Sequence, residues 1–308
     1  MPSVEQSKAI IKRVLKFSPA PETEVHIGGG RFSLTRFANN EIHQNVEERN
    51  LEVSVRVVLK DKRTARATSN VIDDSGLKKL VTRAVEAAKI SEPAKVLPLI
   101  ADSKERVSHH VDEATEAFGA MDRAVAVVDI IAACKKAGLT AAGQLSTMRG
   151  SIGNYGDMGS YAIGNSKGLF RFHDHTGTDF SLTVMDDDSS GWSSSFGGRI
   201  ADLDLPALTQ QAIEKAKQSA NPIAVKAGQW TVILEPAAVA SLVGFLTGGF
   251  AGRSYHSGSS WSSGMLGKKV TGPRFDLVSD PYDKRNTGRP FDGEGLPTKR
   301  LHLIDNGA

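Results

Sequence analysis

Two histidines stand two residues apart in His173-Asp174-His175, with Asp179 four residues further on. On a strand, side chains alternate between faces, so both imidazoles would share one face and could ligate a metal or carry a proton. No further ligand can be assigned near them from spacing, and exposed strand histidines are the reading the pattern favours. Asp186-Asp187-Asp188-Ser189-Ser190-Gly191 opens like a calcium loop, but position 197, where such a loop needs a bidentate Glu, is Gly. That leaves an acidic turn between strands. Gly164-Asn165-Ser166-Lys167-Gly168 has the G-x-S-x-G spacing of a nucleophile elbow, which requires a strand before the serine and a helix after it. Here a second strand-like run follows, and Asn-Ser between glycines predicts a hairpin turn. No H-E-x-x-H, G-x-G-x-x-G or phosphate-loop spacing occurs. Cys134 is the only cysteine and lies in an apolar helical pattern, which predicts a buried, inert thiol and excludes an internal disulfide.

The elements that would position these residues follow from periodicity. Apolar residues at helical spacing predict a helix over 4–17, ended by Pro19 and Pro21. Runs at 24–27 and 32–37 read as strands flanking Gly28-Gly29-Gly30 as a tight turn. Residues 51–59 alternate Val and Leu with polar residues, as a half-buried antiparallel strand does, and 63–69 returns beside it. Asp74 or Ser75 caps a helix to about residue 90. Residues 91–120 read as an irregular connector with a short helix near 112–118. Then the order repeats: a helix over 121–137 ended by Gly138, strands near 141–151, 156–163, 168–175, 179–185 and 192–197, and a helix to about 217. Such a repeat suggests duplication. The last part differs: a compact strand at 230–234, Pro236 opening a helix over 237–246, then a Gly/Ser-rich stretch over 247–267 of the kind that often carries function.

The fold class predicted is α+β: two related lobes of antiparallel sheet covered by helices, followed by a C-terminal β-rich domain. The predicted boundaries are 1–118, 119–221 and 222–308. The 308 residues, 40% of them hydrophobic and 24% charged, suit an ordinary globular protein. The net charge of +3 and the lack of Lys/Arg runs give no electrostatic footprint for nucleic acid. No apolar run reaches the ~18 residues of a membrane span, and the N-terminus lacks the pattern of a signal peptide. A cytoplasmic setting is the expectation.

Taken jointly, several stretches resemble one family. Ser33-Leu34-Thr35-Arg36-Phe37-Ala38-Asn39-Asn40 with Ile42-His43-Gln44, the Val-rich strand after them and Thr68-Ser69-Asn70 are similar to the N-terminal signature of the TldD/PmbA family. The Asn165-Ser166-x-Gly168 hairpin resembles its central turn. Pro290-Phe291-Asp292-Gly293-Glu294-Gly295-Leu296-Pro297-Thr298 resembles its acidic glycine turn, read here as a turn rather than a catalytic pair at Asp292 and Glu294.

The resemblance implies a two-subunit peptidase acting on small or unfolded peptides, also labelled a modulator of DNA gyrase. One subunit carries H-E-x-x-x-H on the helix after the strand matching 230–234. Here the six motif positions fall on Gly244, Phe245, Leu246, Thr247, Gly248 and Gly249, so neither the metal ligands nor the glutamate base is present. The resemblance therefore implies a subunit with no metal or catalytic residue of its own. Its expected partners are a TldD-like subunit holding zinc, an extended peptide and, as another possibility, a second copy of itself. Arg253, Tyr255, His256 and Trp261 in the Gly/Ser-rich stretch are the expected peptide contacts. Two alternatives stay open: a peptide-binding or regulatory module without a protease partner, and an active peptidase built on His173, His175 and Asp179. Family members continue past Asp305-Asn306-Gly307, so a shortened C-terminal domain is also expected.

Overall fold

A computed structural model describes residues 2–95, 98–150, 162–283, 285 and 288–308. Among them the chain forms two compact units, Met1–Pro222 with Tyr282–Thr298, and Ile223–Pro281 with Lys299–Ala308.

The first unit is an eight-stranded sheet with helices against it. Helix α1 (Val4–Phe17) starts at a capping box in which Ser3 and Gln6 satisfy each other's backbone amides. Strands β1 (Glu22–Ala38), β2 (Glu41–Val58) and β3 (Thr64–Ser69) follow as an antiparallel meander. The β1–β2 turn is Asn39-Asn40, both at positive φ, the backbone that a two-residue hairpin matching the strand twist requires. Asp73 caps α2 (Asp74–Ile90) by accepting from the Gly76 amide. After β4 (Arg106–His110) and the short α3 (Glu113–Ala117), the order recurs: α4 (Ala120–Lys136), β5 (Thr140–Gly150), β6 (Ala162–Asn165), β7 (Phe170–Met185), β8 (Ser190–Gly197) and α5 (Leu205–Gln218). Gly138 follows α4 at φ +76°, the left-handed backbone expected of a helix end.

The two predicted lobes share one sheet, ordered β3-β2-β1-β5-β7-β4. Strand β6 sits in line with β5 between β1 and β7, and β8 lies on the far side of β7. Each repeat supplies a helix pair. Ile10, Val14, Leu77, Leu80 and Ala84 of α1 and α2 pack on Val25, Ile27, Val53 and Val55. Val127, Ile131, Ala212 and Ile213 of α4 and α5 pack on Phe37, Leu145, Phe180 and Leu182. The β1 members of both cores are odd-numbered, so both helix pairs cover the same face of the sheet. The other face carries Ile163 and Leu169, which pack with Phe291 of the returning segment 282–298.

Within this sheet three predicted element boundaries need correction. Gly28-Gly29-Gly30 is no turn: β1 runs through it, because Glu52, Leu51 and Asn50 of β2 continue the ladder opposite. Gly29 is needed there, at φ +146° with a built Cβ only 2.4 Å from the Asn50 carbonyl oxygen. Likewise 168–175 and 179–185 are one strand, since β5 pairs with β7 without a break from Arg149 to Thr140. The predicted connector contains β4, which pairs in parallel with β7, a long-range contact that local pattern does not reveal. The predicted strand at 156–163 lies mostly outside the described residues.

The second unit contains α6 (Pro236–Thr247), a 3-10 turn (Gly248–Phe250), α7 (Gly252–Ser257) and a two-stranded sheet of β9 (Leu277–Ser279) and β10 (Leu301–Ile304). Residues 230–234 form no strand; among the described residues no strand pairs with them, and Ile233 is 98% exposed. No helix among the described residues is long and apolar enough to cross a membrane.

Candidate functional site

The motif helix is where family chemistry would lie. Pro236 opens α6, as a residue lacking a backbone donor can. The helix ends at Thr247, and the chain tightens into the 3-10 turn, so Gly249 no longer follows the α-helical phase that carries Gly244 and Phe245. Phe245 is exposed. Gly249 is buried, and a Cβ built on it falls 1.8 Å from the Trp261 indole nitrogen. That nitrogen donates to the Leu246 carbonyl at 3.2 Å, and the indole meets the Phe250 ring edge-on at 5.4 Å. Ser260 and Ser262 both donate to the Gly249 carbonyl, at 2.7 and 2.6 Å. The Gly/Ser-rich stretch is thus pinned to the end of the motif helix. A histidine at 249 would collide with the indole.

The predicted peptide contacts separate into two places. Arg253, Tyr255 and His256 lie on α7, where the Tyr255 and His256 rings meet edge-on at 5.3 Å. Gly258 ends that helix at φ +75°. Trp261 turns instead to Phe250 and Gly249. Arg253 and His256 are exposed, Tyr255 half-buried.

The strand histidines form a second cluster that sequence spacing half revealed. The parallel register sets Ser108 opposite His173 and His110 opposite His175. His173 and His175 stack at 5.0 Å, and His110 lies 5.8 Å from His173. Against the expectation of exposed strand histidines, His173 is 3% exposed, because β4 covers this edge of β7; its Nδ1 hydrogen-bonds Ser108 Oγ at 3.2 Å, and its Nε2 has no hydrogen-bond partner among the described residues. Burial, then the neighbouring His175, His110, Arg289 and His109, push its pKa down to about 3. The imidazole is therefore neutral at ordinary pH and poorly suited to donating a proton. Asp179, four strand residues from His175, lies roughly 13 Å along the strand and accepts from Gln144 at 2.9 Å. Stacked rings do not converge their nitrogens on one point, and no group of three potential ligands among the described residues could hold a metal ion.

Other sequence motifs resolve as turns. Asn165 Oδ1 accepts from the Lys167 and Leu169 amides, and Gly168 adopts φ +90°. Asp292 Oδ1 accepts from the Glu294 and Leu296 amides. Asp186 joins β7 to β8, its amide donating to the Ser189 carbonyl. Cys134 is fully buried, and burial pushes its thiol up to about 11.

The first unit is thus a mixed sheet with two helix pairs on one face, and the first helix of the second unit is apolar and starts at a proline. Residues 24–88, 109–220 and 227–308 match the first, central and C-terminal domains of the PmbA/TldA metallopeptidases. The chain belongs to this PmbA/TldD family. Among solved structures it is similar to TldE from Thermococcus kodakarensis, at 20% identity and a TM-score of 0.76, covering 98% of this chain and 68% of that one. It is also similar to a proposed modulator of a DNA gyrase from Thermotoga maritima, at 17% identity and a TM-score of 0.79, covering 97% and 69%. A counterpart from Bacteroides thetaiotaomicron gives 14% and 0.79, covering 100% and 71%. At these identities the likeness is one of fold. No curated protein matches the chain.

Proposed function

We propose that this chain is the non-catalytic subunit of a TldD/TldE-type zinc metallopeptidase complex that processes small or unfolded peptides. What carries the reading is the end of the motif helix. Gly244, Phe245 and Gly249 stand where two ligands and a base would be needed, and the Trp261 indole fills the space beside Gly249. None of these side chains supplies a lone pair to a metal, so the zinc and the water it activates belong to a TldD-like partner in this reading. The chain would complete the assembly and help hold an extended peptide. The β3 strand, at an open end of the sheet order, is one place where a peptide backbone could add. The setting implied is cytoplasmic.

The test is elemental analysis and peptide hydrolysis on the chain purified alone, repeated after mixing with a family member that carries H-E-x-x-x-H. The expected result is substoichiometric zinc and no turnover alone, with a stable complex and turnover after mixing. About one tightly bound zinc per chain, or hydrolysis by the chain alone, would sink the reading.

A further inference from the structure

The face of the sheet that bears the helices carries an unusual row of charge. Arg31 of β1 lies directly opposite Arg49 of β2 on one side and directly opposite Arg149 of β5 on the other. Three guanidinium-bearing residues therefore stand side by side across three adjacent strands. Like charges in directly opposed positions destabilise a sheet, because their Cβ atoms are only about 5 Å apart. The next strand pairing across β1, β2 and β3 shows the usual alternative: Glu24 opposes Arg56, which opposes Arg66, and the carboxylate meets both guanidiniums.

The outer members of the row have carboxylates of their own. Arg49 pairs with Glu47 at 2.8 Å, and Arg149 pairs with Asp174 at 2.7 Å and with Glu116. The central one does not. Arg31 donates to the main-chain carbonyl of Glu116, its Nε is shielded from water without a hydrogen-bond partner, and it makes no ion pair among the described residues; its charge reaches Glu47 only at longer range, and Arg49 already pairs that carboxylate.

A cavity of about 710 Å³ opens over this row, between the α1 side and α3. Its wall adds a fourth guanidinium, Arg13, which Asp74 pairs at 3.0 Å, and apolar surface from Ile10, Leu51 and Ile72; among the described residues Glu116 is the only carboxylate in the lining. A single small anion would leave most of that volume empty, whereas small-ligand sites typically occupy roughly 300–1,000 Å³. Planar guanidinium matches planar carboxylate in a two-bond fork, and the apolar wall suits the side chains on either side of it.

We propose that this cavity is a binding site for a carboxylate-bearing peptide segment, with Arg31 as the group that pairs with the carboxylate. The carboxylate comes either from the end of a peptide chain or from an acidic side chain. The proposal stands on the sheet geometry and holds whether or not the chain has a zinc-bearing partner.

The experiment is titration calorimetry on the full chain with three N-acetylated pentapeptides of alanine and leucine. One has a free C-terminal carboxylate, one is C-terminally amidated, and one is amidated with a central glutamate. At least one carboxylate peptide is expected to bind roughly tenfold or more tighter than the neutral one, since a charge-assisted pair is lost in the latter. Binding of the first peptide would assign the chain end, and of the third the acidic side chain. Arg31→Met should lose roughly the same factor. Arg36→Met, an equal charge change at an exposed position on the opposite face, should bind as the wild type does. Circular dichroism melts verify that each variant is folded, and Arg49→Met, at the exposed end of the row, replaces Arg31→Met if that variant unfolds. Equal affinity for all three peptides, no binding of either carboxylate peptide, or unchanged affinity in the arginine variant would overturn the proposal.

Discussion

Glu24 shows how a single buried charge is held in this sheet. It is 3% exposed and accepts from His26, Arg56 and Arg66 at 2.9–3.2 Å. Burial acts to raise its pKa, but the His26 hydrogen bond and charge, followed by Arg56, outweigh it and bring the carboxyl down to about 2. The sign is that of a depressed carboxylate: its contribution is present above the ordinary value of 4.5 and is lost as pH falls toward 2. Its size is about 3 kcal/mol or less, given that Arg56 and Arg66 reach partly into solvent. Glu24→Gln is expected to lower stability near pH 7 by about 2–3 kcal/mol and to flatten the loss between pH 4.5 and 2. Urea unfolding across that range checks it; a variant as acid-sensitive as the wild type would refute the assignment. The row at Arg31 is the opposite arrangement, with positive charge on three strands and its centre without an ion pair among the described residues.

At the scale of elements, close approach of helix and sheet is set by glycine. Gly191 of β8 lies under α5, where a Cβ would come 1.9 Å from the Ala212 carbonyl oxygen and 2.5 Å from the Ala216 amide nitrogen. Both obstacles are helix backbone, so α5 as a whole would have to lift. Gly191→Ala is therefore expected to cost about 2–3 kcal/mol and lower Tm by roughly 4–10 °C. Gly28→Ala in β1, with nothing within 4 Å of the built Cβ, should leave Tm almost unchanged. Scanning calorimetry of the two variants decides; equal shifts would mean that α5 is not held this close. Gly249 has a similarly close neighbour that is a side chain rather than backbone: a Cβ built there falls 1.8 Å from the Trp261 indole nitrogen.

For the whole molecule, the two units differ in how much apolar surface they bury. The first holds two large cores under its helix pairs. In the second, Ile304 is the one buried apolar side chain among the described residues, while Val232, Ile233, Leu242 and Phe245 are largely exposed. Local stability follows buried apolar contact, so amide hydrogen exchange is expected to be faster in α6 than in α5 by several orders of magnitude. Mass-spectrometric exchange on the isolated chain measures this; similar protection in both helices would contradict the difference in core. In the partner-subunit reading, protection of α6 on complex formation is the corresponding gain.

Much of this was legible along the chain. Helical spacing located α1 and α4, a capping residue α2 and Pro236 α6, and the Val alternation located β2, because these are local properties. Spacing that turns Val125 and Val128 inward misreads the face of α4, since each is 55% exposed while Val127 and Ile130 are buried. The Asn165 and Asp292 turns were equally local, since a short polar side chain bonds its own following amides. The absence of metal ligands at Gly244, Phe245 and Gly249 needed only the residue types. Pairing was not local. That β1 passes straight through three glycines, that β4 docks in parallel on β7 and gathers His110 beside His173 and His175, and that Arg31 stands between Arg49 and Arg149 all depend on register between residues far apart in the chain. A period-two pattern fixes which face a side chain takes but not which residue it meets across the ladder, and the like-charge row over the cavity exists only once that choice is made.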